Sequence, residues 1–141
     1  MKHKDHWKHV REMGCIVCCG DAQIHHCHGG SMNEWLGKER APGMAQRQNH
    51  FLVIPLCHLH HTGDHGIDSG MGVVRWEMEF GEQWGHLMMV GVWVVEQRIS
   101  LHDHWSYDIW SLAGLPNPAG MTSSEYRENL RNTTSTEKGN E

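Results

Sequence analysis

Leu56-Cys57-His58-Leu59-His60-His61 is the stretch on which the reading of the fold turns. Cys57-x-x-His60 has metal-ligand spacing, and Gly14-Cys15-Ile16-Val17-Cys18 supplies a second such knuckle, Cys15-x-x-Cys18, upstream. One knuckle is weak evidence. Two, flanking two candidate strands, bring together three thiolates and one imidazole, which suits a closed tetrahedral structural zinc. Cys19 can replace Cys18 within the first knuckle, and Cys27 is spare.

Five cysteines is an odd number for a disulfide framework. The first ten residues are charged and His-rich with no apolar h-region, so no secretion signal is read there. The longest uncharged apolar run, residues 87–95, is too short for a membrane span. These features point to a reducing cytoplasm, thiolate–metal chemistry and no membrane partner.

Outward from the knuckles, residues 22–27 form a candidate strand. Phe51-Leu52-Val53-Ile54 is the clearest strand, closed by Pro55. The long connection between them can hold a helical turn or two, and Ser31-x-x-Glu34 is a capping-box pattern that would start one at residues 32–38. Residues 72–79 read as helical, and Gly81 separates them from a second helix over residues 82–97. On that helix Trp84, Leu87, Met88, Gly91, Val92 and Val95 recur at helical period, a core-facing stripe. Beyond Gly114 the Pro, Ser, Thr, Asn and Glu content predicts a disordered tail. The expected organisation is a polar lead-in (1–13), a zinc-stabilised domain with packing helices (14–97), and a linker and tail (98–141).

The chain carries 14 His, far more than a core needs, and they cluster at ligand spacings. Ile24-His25-His26-Cys27-His28-Gly29-Gly30 lies between the knuckles, and His61-Thr62-Gly63-Asp64-His65-Gly66-Ile67-Asp68 follows the second. Neighbours on a strand point to opposite faces, so His25 and His26 share one site only if the strand ends or kinks. On a helix, His61 and His65 would share a face.

In these residues the chain resembles the HNH (ββα-metal) endonucleases. The likeness rests on Cys15–Cys18, His25-His26, Asn49, the strand before Pro55, and Leu56-Cys57-His58-Leu59-His60-His61. More narrowly, Gly14-Cys15-Ile16-Val17-Cys18, Ile24-His25-His26, Ile54-Pro55-Leu56-Cys57 and Trp76-Glu77 with Phe80-Gly81 look like the phage recombination-enhancement, RecA-dependent nucleases. The resemblance implies an α+β fold: a small zinc-stabilised ββα-metal domain followed by C-terminal helices. It implies His26 as general base, His25 and His61 on a catalytic Mg, Mn or Zn ion, and His65 or Asp68 as rivals to complete that site. Asn49 would pin the loop. The family more often has Asp where His25 stands, and Gly63 and Gly66 interrupt the helix that a His61/His65 pair needs. His28 and His50 have no assigned role.

The expected activity is metal-dependent hydrolysis of DNA phosphodiester bonds inside a bacterial host cell, with a recombinase filament as a further partner. Imidazole suits the chemistry because it is basic near neutral pH. Net charge is −5, but residues 1–48 sum to +2 and residues 49–141 to −7. Lys38, Arg40 and Arg47 are placed to follow a phosphate backbone, which responds to local charge. The competing reading is a non-catalytic zinc-binding module for nucleic acid. It leaves His25, His26 and His61 without a role once the zinc site is filled.

Overall fold

The computed structural model describes residues 1–37, 39–41, 49–96 and 106–139. Among them, seven helices and one two-stranded sheet give a small α+β fold. The order is α1 (His3–Glu12), β1 (Gln23–His26), α2 (Gly30–Leu36), β2 (Val53–Leu56), α3 (His58–His61), α4 (Val73–Phe80), α5 (Gln83–Glu96), α6 (Ile109–Ala113) and α7 (Ser123–Gly139).

The sheet is antiparallel, with Ile24 opposite Pro55, His25 opposite Ile54 and His26 opposite Val53. Every residue of β2 is buried. Pro55 does not close the strand as its sequence suggests; it lies inside it. The reason is register. Cys27 N–H donates to Leu52 O, and antiparallel bonding alternates along the ladder, so Pro55 occupies a non-bonded pair where its missing N–H costs nothing. On its other side Pro55 O accepts from Ile16 N–H at 3.0 Å, tying the first knuckle to the sheet. Phe51 and Leu52 form the turn that enters β2, not part of the strand itself.

The sheet's buried side chains meet α5. Its two helices, α4 and α5, have the predicted break at Gly81, where φ is 98°. The buried face of α5 is Gln83, Trp84, Leu87, Val90, Gly91 and Val94. Trp84, Leu87 and Gly91 are as expected, whereas Val92 and Val95 are 53% and 41% exposed. This helix is apolar on most of its circumference, so the sequence pattern alone does not choose a face. Neighbours choose it. A Cβ on Gly91 would stand 3.2 Å from the Trp110 indole nitrogen, so α6 crosses there at a distance that glycine permits.

Ser31 is not a cap. The helix begins at Gly30, and Ser31 Oγ donates to Glu77 while accepting from Trp84 N–H at 3.0 Å. Glu77 also accepts from the backbone N–H of Ser31 at 2.9 Å and of Gln83 at 2.7 Å. One carboxylate therefore clasps the first turns of α2 and α5, where unpaired N–H groups favour an anion.

The predicted disordered tail is instead helical over α7, and α7 packs against α2. Tyr126 and Leu130, one turn apart, are buried. Trp35 and Trp84 stack with centroids 5.0 Å apart, and the Tyr126 ring meets both at 5.8 and 5.3 Å. A low average hydrophobicity conceals this stripe, because two apolar anchors suffice when an aromatic platform awaits them. No helix among the described residues is long and apolar enough to cross a membrane.

Candidate metal centres

The two knuckles meet at one edge of the sheet. In the first, Cys15 N–H donates to Gly20 O at 2.7 Å and Cys19 N–H to Cys15 O at 2.8 Å, closing a tight turn. Gly14 sits at φ 77°, and a Cβ there would stand 3.0 Å from Cys19 O. In the second, Cys57 is the residue before α3 and His60 lies within it. One ligand atom each from Cys15, Cys18, Cys57 and His60 falls within 4.8 Å of the others, a gathering that can hold a metal such as zinc.

The individual separations test the fit. Cys18 and Cys57 Sγ are 3.6 Å apart, and His60 Nδ1 is 3.9 Å from Cys15 Sγ and 3.1 Å from Cys57 Sγ. A tetrahedron built on ordinary zinc–sulfur and zinc–nitrogen bonds has edges of about 3.5–3.8 Å. The donor set fits, the Cys18–Cys57 and Cys15–His60 separations are close to these edges, and Cys57–His60 is shorter than a tetrahedral edge. Burial pushes the Cys15 thiol up, but the N–H groups of Cys57, Cys18 and Val17 outweigh it and hold the thiol below its ordinary range. That favours the thiolate, the form that ligates. The first knuckle uses Cys18, and Cys19 is exposed outside the quartet. Cys27 is buried in the core, where desolvation raises its thiol far above the usual range.

A second cluster forms around Asp68. The chain leaves α3 and folds back, with Ile67 N–H donating to His60 O and Asp68 N–H to His61 O. Gly66 allows this return, since a Cβ there would lie 2.6 Å from His61 O. Asp68 Oδ2 then stands 3.1 Å from His25 Nδ1 and 3.0 Å from His61 Nε2, and Oδ1 stands 2.7 Å from His28 Nε2. Burial pushes the Asp68 carboxyl up, but the three imidazoles outweigh it and hold it well below the usual carboxylate range. Its hydrogen bond to Asp68 raises His28. His25, His28 and Asp68 offer ligand atoms that all lie within 4.8 Å of one another, a second group able to hold a metal.

His25 and His26 diverge as strand alternation requires. His25 is buried toward Asp68 and α5, while His26 Nε2 lies 3.1 Å from His50 Nδ1, with the Trp7 ring edge-on at 5.3 Å. Burial and then the neighbouring His50 lower His26 below the ordinary imidazole range. Asn49 Oδ1 accepts from Phe51 N–H, and its Nδ2 donates to Ala113 O, both at 3.0 Å, which joins the loop before β2 to α6.

His65 does not reach Asp68. It is exposed, and its ring lies 6.4 Å from that of His60. The α3 helix ends at His61, so the four-residue spacing never becomes a shared helical face. Of the proposed phosphate-tracking residues, Arg40 is described and lines a cleft with Arg127 and Arg131. Lys38 and Arg47 lie outside the described residues. Two participants carried no assigned role in the sequence reading. His28 has a legible signal in His25-x-x-His28, whereas Gln83, at the start of a helix remote in sequence, has none. Comparison with protein families, curated proteins and solved structures returns no match.

Proposed function

We propose that this chain is a metal-dependent DNA endonuclease of the HNH (ββα-metal) type, phage or prophage encoded and working in DNA recombination or processing. The observation that carries the reading is the convergence of His25, His28 and His61 on Asp68, one strand residue from His26 and next to the Cys15/Cys18/Cys57/His60 quartet. In this reading the quartet holds a structural zinc. His25, His28 and Asp68, with His61, hold a catalytic Mg, Mn or Zn ion, which when bound stabilises charge on the leaving 3′-oxygen. His26 is kept neutral by burial and by His50, so at pH 7 it can take a proton from the attacking water. Asn49 pins the entry to β2 and ties it to α6.

A plasmid-nicking assay with Mg, Mn or Zn, with and without chelator and a recombinase filament, tests the proposal. His26→Ala is expected to keep its bound metals and melting temperature while hydrolysis falls by about two to four orders of magnitude, the usual loss for a general base. A wild type that cuts no DNA under any of these conditions overturns the nuclease reading. The alternative, a non-catalytic zinc-binding module for nucleic acid, would then stand; the occupation of His26 Nε2 by His50 is the contact that favours it.

A further inference from the structure

Gln83 is a fully buried polar side chain at the first turn of α5, and its amide orientation is settled by His28. Gln83 Nε2 donates to His28 O at 2.7 Å, and Gln83 Oε1 accepts from His28 N–H at 3.1 Å. Turning the amide over would set donor against donor and acceptor against acceptor, two buried mismatches at once. The oxygen therefore faces His25 Nε2, 2.9 Å away, and that nitrogen must carry the hydrogen.

A consequence follows for the other side of the ring. With its hydrogen on Nε2, a neutral His25 presents the Nδ1 lone pair to Asp68 Oδ2 at 3.1 Å. A carboxylate is an acceptor only, so two electron-rich atoms meet, one on a fully buried ring and the other on a side chain that is 30% exposed. A divalent cation between or beside them resolves the conflict, as a second ring proton would, and His28 Nε2 lies on the same carboxylate. We propose that Gln83 is the positioning residue that holds His25 in its Nε2–H form and so makes Nδ1 a ligand, with Asp68 and His28, for a divalent cation. Glu77 supports it by anchoring the Gln83 backbone N–H at 2.7 Å. An outer partner that takes the second ring hydrogen of a ligating histidine both orients the ring and raises its basicity.

The inference rests on reading the Asp68 cluster as a metal site, and the experiment separates the two. Zinc-loaded wild type and Gln83→Met are titrated with Mn²⁺, read by the loss of the free-ion EPR signal. Histidine tautomers are read in parallel by long-range ¹H–¹⁵N correlation of ¹⁵N-histidine-labelled protein. The expected outcome is an Nε2–H His25 in the wild type and about 10- to 100-fold weaker Mn²⁺ binding in Gln83→Met, with the Cys/His zinc retained. Gln83→Glu, which keeps an acceptor toward His25, is expected to recover most of the affinity. A wild type that binds no Mn²⁺ overturns the metal-site reading, while the tautomer measurement still judges Gln83. An Nδ1–H His25 in the wild type, or unchanged Mn²⁺ affinity in Gln83→Met, overturns the role given to Gln83. Should Gln83→Met fail to fold, the wild-type tautomer decides alone.

Discussion

Cys19 stands in the left-handed region at φ 65°, a conformation that costs a residue with a Cβ about 1–2 kcal/mol. Its N–H is held by Cys15 O, so the knuckle imposes the angle. Cys19→Gly removes that cost and returns part of it through a freer unfolded chain. The expected net gain is about 0.5–1 kcal/mol, read as a rise of a few degrees in melting temperature, with unchanged zinc content. Loss of zinc would instead make Cys19 a ligand. His6 illustrates a titrating residue in the core. Its Nε2–H donates to Phe51 O, Tyr107 OH sits 2.7 Å from Nδ1, and burial lowers its pKa to about 4. The unfolded chain, near 6.5, binds the proton more readily, so this contribution is complete above pH 6.5 and is lost as pH falls toward 4. A drop of up to about 3 kcal/mol across that window is expected in denaturant melts of the wild type. His6→Gln should flatten that part of the slope; an identical slope in both proteins would remove His6 from the account.

At the scale of elements, the buried anchors of α7 among the described residues are Tyr126 and Leu130. Tyr126 is fully buried, donates its hydroxyl hydrogen to Pro116 O at 2.7 Å and meets the rings of Trp35 and Trp84. Tyr126→Ala would leave a cavity beside both indoles and is expected to cost about 3–5 kcal/mol in urea unfolding. A cost under about 1 kcal/mol would mean that α7 does not pack on α2 in solution. The aromatic platform also explains why α5 turns the face it does. Trp84 and Trp110 lie 5.2 Å apart, and Ile109 is buried against Gly91. Apolar residues surround α5, so the burial of its Val90 and Val94 depends on these partners and not on its own periodicity.

For the whole molecule, the Cys/His quartet joins the turn after α1 to the helix after β2, at one edge of the sheet that carries His25 and His26. Apparent zinc-coupled folding energies of about 10–16 kcal/mol in zinc-finger peptides exceed the net stability of most small domains. Cys57→Ala is therefore expected to lose its tightly held zinc and yield a largely unfolded chain by circular dichroism and metal analysis. A variant that melts like the wild type would exclude the quartet as the main tie. The Asp68 cluster depends on the same frame, because His61 follows His60 directly on α3.

What the sequence determined by itself is local. Ligands three residues apart in a knuckle stay within a few ångströms whatever surrounds them, so Cys15 with Cys18, and Cys57 with His60, could each be paired from spacing, while the meeting of the two knuckles is tertiary. Strand alternation likewise separates His25 from His26 before any packing is known. The α+β class, the two strands and the break at Gly81 belong to the same short range. Tertiary structure decided everything that depends on distance between remote segments. It brought Asp68, and not His65, beside His25 and His61 by folding the loop after α3 back onto His61, and it brought His28 to the same carboxylate. It placed Gln83 against His25 from 58 residues away, ordered α7 on two tryptophans, and moved Pro55 inside a strand through register. In each case a short-range preference was weak or absent, and the burial of a few side chains against distant partners outweighed it.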